Sequence, residues 1–150
     1  TSLIGLLFGI IYSLYKEKKS GIIYELKNIV KIIPFKFIEQ IKLSDTSLNQ
    51  DKFLFIKEFI NSQSKDKINL ILLGEIKEEE VKKFKEILLK QLKKKLIISS
   101  NLQDINKNAK GSTNLILSSL GYLRLSQLMI LKNYHELMDL NLSSLILFEK

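Results

Sequence analysis

Two short loops hold the residues of this sequence that are best placed to do chemistry. Residues 74–77 follow the apolar run 68–73, and Ser99 and Ser100 follow the apolar run 96–98. Short apolar runs bounded by turn residues are typical of buried strands. Because ligands bind beyond the carboxyl ends of the strands in a parallel α/β sheet, these loops are where a substrate or a nucleotide would be held.

Neither loop has the composition of a phosphate site. A phosphate-binding loop brings glycine backbones and a lysine to the anion, and its pattern G-x-x-x-x-G-K-[ST] occurs nowhere in the sequence. Glu75 and the three glutamates at 78–80 would instead repel a phosphate, with Lys77 as the one basic neighbour. Ser99 and Ser100 stand where a nucleotide hydrolase would hold magnesium through an aspartate. We therefore predict that the chain binds no cofactor and does not hydrolyse ATP.

The rest of the sequence supplies no catalytic or metal-binding set. There is no cysteine, so disulfide frameworks and thiolate metal sites are excluded. The one histidine, His135, lies near an apolar helical stripe, which favours a structural position over a general base. We predict no catalytic residue and no metal ligand.

The segment 114–150 indicates the fold class. An apolar run, a glycine turn, one amphipathic helix and a second apolar run follow one another, which is the pattern of a βαβ unit. We predict that residues 67–150 form an α/β domain with a mostly parallel sheet and flanking helices. The predicted strands are residues 68–73, 96–99, 114–118 and 145–148, and the predicted helices are residues 77–94 and 124–139. At the turn of the βαβ unit, Gly121, Tyr122 and Arg124 are candidates for contact with a partner.

A less regular region, residues 20–66, precedes this predicted domain. Residues 20–33 carry an apolar stripe and predict a helix, which Pro34, the only proline, ends. Residues 35–41 predict a short strand at a sheet edge, and residues 50–62 predict a further helix.

Residues 1–19 predict one end of a membrane helix. Residues 3–15 are uncharged and almost wholly apolar, and Lys16, Lys18 and Lys19 follow them. Such a helix is about 20 Å long, shorter than the roughly 30 Å hydrocarbon core of a bilayer. Since the chain starts without Met, we expect it to begin inside a transmembrane helix. Lysines mark the cytoplasmic ends of such helices, so these three are expected at the interface of the inner membrane and the residues after about 16 in the cytoplasm.

Residues 3–15 allow two other interpretations. A secretory signal would carry its positive charges before the apolar run, whereas here they follow it. A helix buried in the core of a soluble protein is an alternative that stays open. Gly5 and Gly9 form a G-x-x-x-G pattern, which lets two membrane helices approach closely. They are our candidates for helix pairing between copies of the chain.

The charge of the chain does not indicate a nucleic-acid partner. Its 24 basic and 16 acidic residues give a net charge of +8, but Arg124 is the only arginine. Nucleic-acid-binding proteins cluster arginine and lysine on one face, whereas most lysines here alternate with glutamates. We predict no binding to nucleic acid.

Taken together, the two ends of the chain resemble the bacterial polysaccharide co-polymerases. These are the chain-length-determinant (Wzz-like) proteins and their fused tyrosine-kinase (Wzc-like) relatives. Residues 1–34 are similar to the exit of that family's last membrane helix, with its glycines, basic flank, short helical region and proline. Residues 114–128 resemble a late strand of the family's P-loop-type domain, with Leu123 in place of a threonine, and residues 143–148 resemble the strand that follows.

The resemblance implies a degenerate P-loop or Rossmann-like domain, because the Walker A motif, the aspartate and the tyrosine-rich tail are missing. It implies a non-catalytic, membrane-anchored component that regulates or supports chain-length control or export of a surface polysaccharide, such as capsule, exopolysaccharide or O-antigen. The implied partners are further copies of the chain and the polysaccharide polymerase or export machinery. Two alternatives are a tyrosine autokinase that uses ATP and is completed by a partner chain, and a soluble α/β binding module.

Overall fold

The computed structural model describes residues 2–23, 25–44, 50–142 and 144–149. These residues form six helices and five strands. The helices are α1 (Ser2–Ser20), α2 (Leu26–Ile32), α3 (Gln50–Ser62), α4 (Glu78–Gln91), α5 (Leu102–Asn108) and α6 (Leu125–Leu137). The strands are β1 (Phe37–Ile41), β2 (Lys67–Leu72), β3 (Lys95–Ser99), β4 (Ser112–Ser119) and β5 (Ser144–Phe148).

The five strands lie in one sheet in the order β1-β5-β4-β2-β3, and every neighbouring pair is parallel. The predicted α/β class, the four predicted core strands and the parallel pairing of residues 68–71 with 96–99 are confirmed. The predicted edge strand is also found, because β1 lies at the outer edge beside β5. Residues upstream of 67 therefore contribute β1 and the helices α2 and α3 to the same sheet structure.

Helices cover both faces of the sheet, which gives three layers. α3 and α4 cover one face through apolar side chains that include Ile56 and Phe84. α2, α5 and α6 cover the other face through side chains that include Ile29, Ile105 and Leu128. The connections through α3 and α4 run toward β3, and their helices lie on the first face. The connections through α5 and α6 run back toward β1, and their helices lie on the second face. This arrangement is the one required when all crossovers have the same hand.

A row of buried polar side chains crosses the middle of the sheet. Asn69 of β2 lies opposite Asn114 of β4, and its Nδ2 donates to Asn114 Oδ1 at 3.1 Å. Ser99 of β3 donates to Asn69 Oδ1 at 2.7 Å. The Nδ2 of Asn114 donates to the carbonyls of Ala109 and Asn141, both at 3.1 Å. Because buried amides are costly without partners, this row favours a single register of β3, β2 and β4.

The outer edge of β1 is partly protected by α3. Lys52 of α3 donates a hydrogen bond to the carbonyl of Gln40, and the rings of Phe37 and Phe59 stack with their centroids 4.6 Å apart. Partial burial raises the pKa of Glu39 on the same strand, while the charge of Lys52 opposes that rise. A lysine and a covering helix are common ways to prevent pairing with another chain at a sheet edge.

The helix predicted over residues 20–33 is wrong in its first part. Ser20 is the last residue of α1, Gly21 adopts a left-handed φ of +64°, and the next helix begins only at Leu26. Pro34 ends the helix as predicted, since α2 stops at Ile32.

The helix predicted over residues 3–15 lies within α1. Within the four described ranges, however, no helix combines the length and the apolarity that crossing a bilayer requires.

We predict that Asn69→Ala lowers the free energy of unfolding by about 1–3 kcal/mol, because it leaves the amide of Asn114 and the hydroxyl of Ser99 short of a buried partner. Urea unfolding followed by circular dichroism measures this change. Asn106→Ala, at an exposed position of α5, is the matched control and should change stability by less than about 0.5 kcal/mol. Equal stability of the two variants would show that the polar row does not stabilise the sheet.

Candidate functional site

The candidate site lies where the carboxyl ends of β2 and β4 meet. These strands are neighbours, but the chain leaves β2 toward β3 and leaves β4 toward β5. Their connecting helices, α4 and α6, therefore lie on opposite faces of the sheet. Such a switch point opens a crevice between two diverging loops, and it is where parallel α/β sheets usually bind ligands.

The two loops touch each other at Gly74. This residue has a φ of +80°, and a Cβ built on it would lie 2.9 Å from the carbonyl oxygen of Tyr122. The loops are further joined by Leu73, whose N–H donates to the carbonyl of Leu117 at 2.9 Å and whose carbonyl accepts from the hydroxyl of Ser118 at 2.7 Å. Only a residue without a side chain fits this approach, so Gly74 is required for packing rather than for a phosphate cradle.

A cavity of about 250 Å³ lies on the α4 side of this contact. Its walls come from the β2–α4 loop, the first turn of α4 and the β4–α6 loop. The lining residues are Glu75, Ile76, Lys77, Glu80, Ser119 and Tyr122. A second cavity, of about 230 Å³, lies on the other side of Gly74 against α5 and α6, and includes Ser100 in its lining. The contact between the loops thus divides the crevice into two compartments.

Ser119 is the most deeply buried polar residue in the lining of the first cavity. Its side chain lies on the same face of β4 as Leu115 and Leu117, which is the face that α4 covers. Only 6% of Ser119 is exposed, and its hydroxyl forms no hydrogen bond with any described residue. Sequence reasoning missed Ser119. The period-two alternation from Leu115 could have located it once the end of the strand was known.

The segment that follows α1 is bonded to the β4–α6 loop. Gly21 accepts from the N–H of Leu125 at 2.8 Å, and Ile23 donates to the carbonyl of Leu123 at 2.8 Å and accepts from the N–H of Gly121 at 3.1 Å. Residues 22 and 124 form an antiparallel bridge. Because Gly21 directly follows α1, no separate linker segment lies between α1 and the carboxyl edge of the sheet.

The side chains of α1 that the structure describes face solvent. The large apolar residues more than half exposed are Leu6, Leu7, Phe8, Ile10, Ile11, Tyr12, Leu14 and Tyr15. At 100° per residue they cover about two thirds of the helix circumference. The two predicted pairing residues, Gly5 and Gly9, lie on the remaining side, and a Cβ built on either would meet nothing within 4 Å. Lys16, Lys18 and Lys19, the predicted interface residues, are exposed in its last turns.

The three candidates for partner contact lie on the β4–α6 loop but differ in their surroundings. Gly121, with a φ of +84°, is bonded to Ile23. Tyr122 lines the first cavity. Arg124 is exposed immediately before α6, and its N–H donates to Gln127 Oε1 at 3.0 Å.

Ser99 and His135, which the sequence offers as further polar groups, have structural positions. Ser99 is buried in the polar row with Asn69 and Asn108. The Nδ1 of His135 lies 2.6 Å from the carbonyl oxygen of Leu140, where it holds the turn after α6. Within the described part of the chain, no three histidine or acidic side chains come close enough together to hold a metal ion.

The fold is therefore that of a Rossmann-like α/β domain with a crevice at its switch point. Comparison with family models, with curated proteins and with solved structures found no match for this chain.

We predict that Gly74→Ala destabilises the domain by about 1–3 kcal/mol more than Gly111→Ala does. Both glycines have a left-handed φ, +80° and +76°, so both variants carry the same backbone strain of about 1–2 kcal/mol. Only at Gly74 does the new methyl group also meet a backbone carbonyl, since Gly111 borders open space. Thermal unfolding of the two variants measures the difference. Equal destabilisation would mean that the loops can separate at little cost.

We predict that the chain binds Mg-ATP with a Kd of about 1 mM or weaker. The β2–α4 loop makes its close approach to Tyr122 rather than to an open cradle, and Glu75 and Glu80 line the adjacent cavity. Isothermal titration calorimetry on the chain from about Ser20 onward tests this. Micromolar binding that Lys77→Ala abolishes would show that a nucleotide site of another kind exists.

Proposed function

We propose that this chain is a non-catalytic component of surface-polysaccharide chain-length control or export, attached to the inner membrane by α1. The observation that carries the attachment is the exposure of large apolar side chains around most of α1. A helix that is apolar on most sides requires an apolar surrounding, and lipid supplies one on several sides at once. The resemblance of residues 1–34 and 114–128 to polysaccharide co-polymerases supports the cellular setting.

The lysines at the end of α1 support an interfacial position. Lys16, Lys18 and Lys19 follow the apolar part directly and are exposed. Each lysine near an anionic lipid surface adds about 1 kcal/mol of binding. The apolar part lies in lipid and these lysines lie at the cytoplasmic headgroups, so the α/β domain is in the cytoplasm.

The short connection after α1 keeps the domain close to the membrane. Gly21 and Ile23 are bonded to the β4–α6 loop, so the carboxyl edge of the sheet near α6 is the part nearest to the end of α1. The domain thus lies close to the lipid surface, as a protein that acts by assembly at a membrane requires. The side of α1 that carries Gly5 and Gly9 is where a second copy packs.

We expect the full chain to float with vesicles that contain phosphatidylglycerol in a density gradient. Replacing Lys16, Lys18 and Lys19 by glutamine should weaken this binding about a hundredfold, at about 1 kcal/mol for each lysine. The matched control replaces three exposed lysines of α4, Lys82, Lys83 and Lys90, by glutamine and should bind like the unchanged chain.

Two results would contradict the proposal. One is a chain that stays at the bottom of the gradient with all vesicles. The other is an equal loss of binding in both triple variants, which would show that net charge rather than α1 determines the interaction.

A further inference from the structure

We propose that the cavity at the switch point, lined by Glu75, Ile76, Lys77, Glu80, Ser119 and Tyr122, binds a small organic cation, namely an amine with a compact apolar body. This inference goes beyond the proposed function and does not depend on α1 or on a membrane.

The charge of the cavity favours a cation. Glu75 and Glu80 contribute two carboxylates and Lys77 one ammonium group. Neither glutamate forms an ion pair with any described residue. Glu78 and Glu79 at the start of α4 add further negative charge nearby. An ammonium group is attracted by this excess, whereas a carboxylate or a phosphate is repelled.

The hydroxyl of Ser119 indicates that a polar group belongs in the cavity. Ser119 is 6% exposed, and its hydroxyl has no hydrogen-bond partner among the described residues. A hydroxyl that borders a cavity and is bonded to no described residue is open to pair with a ligand. An ammonium group donates hydrogen bonds, which both this hydroxyl and the carboxylate of Glu80 accept.

The size and the other walls define the rest of the ligand. Ile76 and Tyr122 provide apolar and aromatic surface, and an aromatic ring attracts a cation placed over its face. The volume of about 250 Å³ is below the range of sites for drug-sized molecules, roughly 300–1,000 Å³. A ligand with a single ring or a short branched chain and one amine fits this description.

The test compares three probes that have the same ring and different charge. Cyclohexylamine carries a positive charge at neutral pH, cyclohexanol is neutral and cyclohexanecarboxylate is negative. Each is titrated into the full chain in zwitterionic detergent, and the amide signals of Gly74, Ser119 and Tyr122 are followed by NMR. We expect saturable shifts with cyclohexylamine at a Kd of about 1 mM, and binding about tenfold weaker or absent with the other two probes.

Variants assign the binding to the cavity. Glu80→Gln should weaken cyclohexylamine binding about tenfold, because it removes a charged partner. Glu86→Gln, at an exposed position further along α4, is the matched control and should leave binding unchanged. Ser119→Ala should also weaken binding.

The comparison of probes uses the unchanged chain, so it decides the matter even where a variant fails to fold. The proposal is overturned by an absence of saturable shifts up to about 20 mM cyclohexylamine, since binding that weak lies well below the expected affinity. It is also overturned by equal or tighter binding of cyclohexanecarboxylate or cyclohexanol. Vesicle flotation is unaffected by any of these results, so failure here is separate from failure of the proposed membrane attachment.

Discussion

The hydrogen bond between the buried amides of Asn69 and Asn114 is the interaction on which the rest of the structure depends. It joins the two central strands, β2 and β4, and is supported by Ser99 from β3. A slip of one residue in either strand would turn the buried side chains to the wrong face and leave both amides without partners. Burial alone discriminates less against such a slip, because every residue of β4 is buried, whichever face it points to.

This register determines what happens at the carboxyl edge. With β2 and β4 aligned from residue 67 opposite 112 to residue 72 opposite 117, the two strands end at nearly the same level and their loops meet. Gly74 then touches the backbone of Tyr122, and the crevice of the switch point is divided in two. A wider crevice could accept the phosphates of a nucleotide, whereas the divided one leaves a small compartment beside α4. The size of the candidate site therefore follows from strand register and one glycine, not from a binding motif.

The sequence predicts the buried strands well, because a strand that is covered on both faces is a continuous apolar run. It predicts less well what depends on contacts between distant residues. The pairing of Ile23 with Leu123 joins positions a hundred residues apart, and the apolar stripe of residues 20–33 continues through the turn at Gly21 as though a single helix were present. Sheet order is likewise absent from local patterns, so the place of β1 beside β5 was not predictable. Ser119 was missed because the predicted strand ended at residue 118, whereas β4 continues for one more residue.

The β4–α6 loop links the two parts of the molecule that carry the proposed functions. Its residues Gly121 and Leu123, together with Leu125 at the start of α6, hold the segment that follows α1, and its residue Tyr122 forms a wall of the cavity. The same backbone also touches Gly74. A displacement of residues 21–23 relative to the sheet would therefore either break three backbone hydrogen bonds or move the β4–α6 loop with it. Each buried backbone group left without a partner costs free energy. For small displacements, moving the loop therefore costs less than breaking the hydrogen bonds. The segment that follows α1 and one wall of the cavity thus share one short loop.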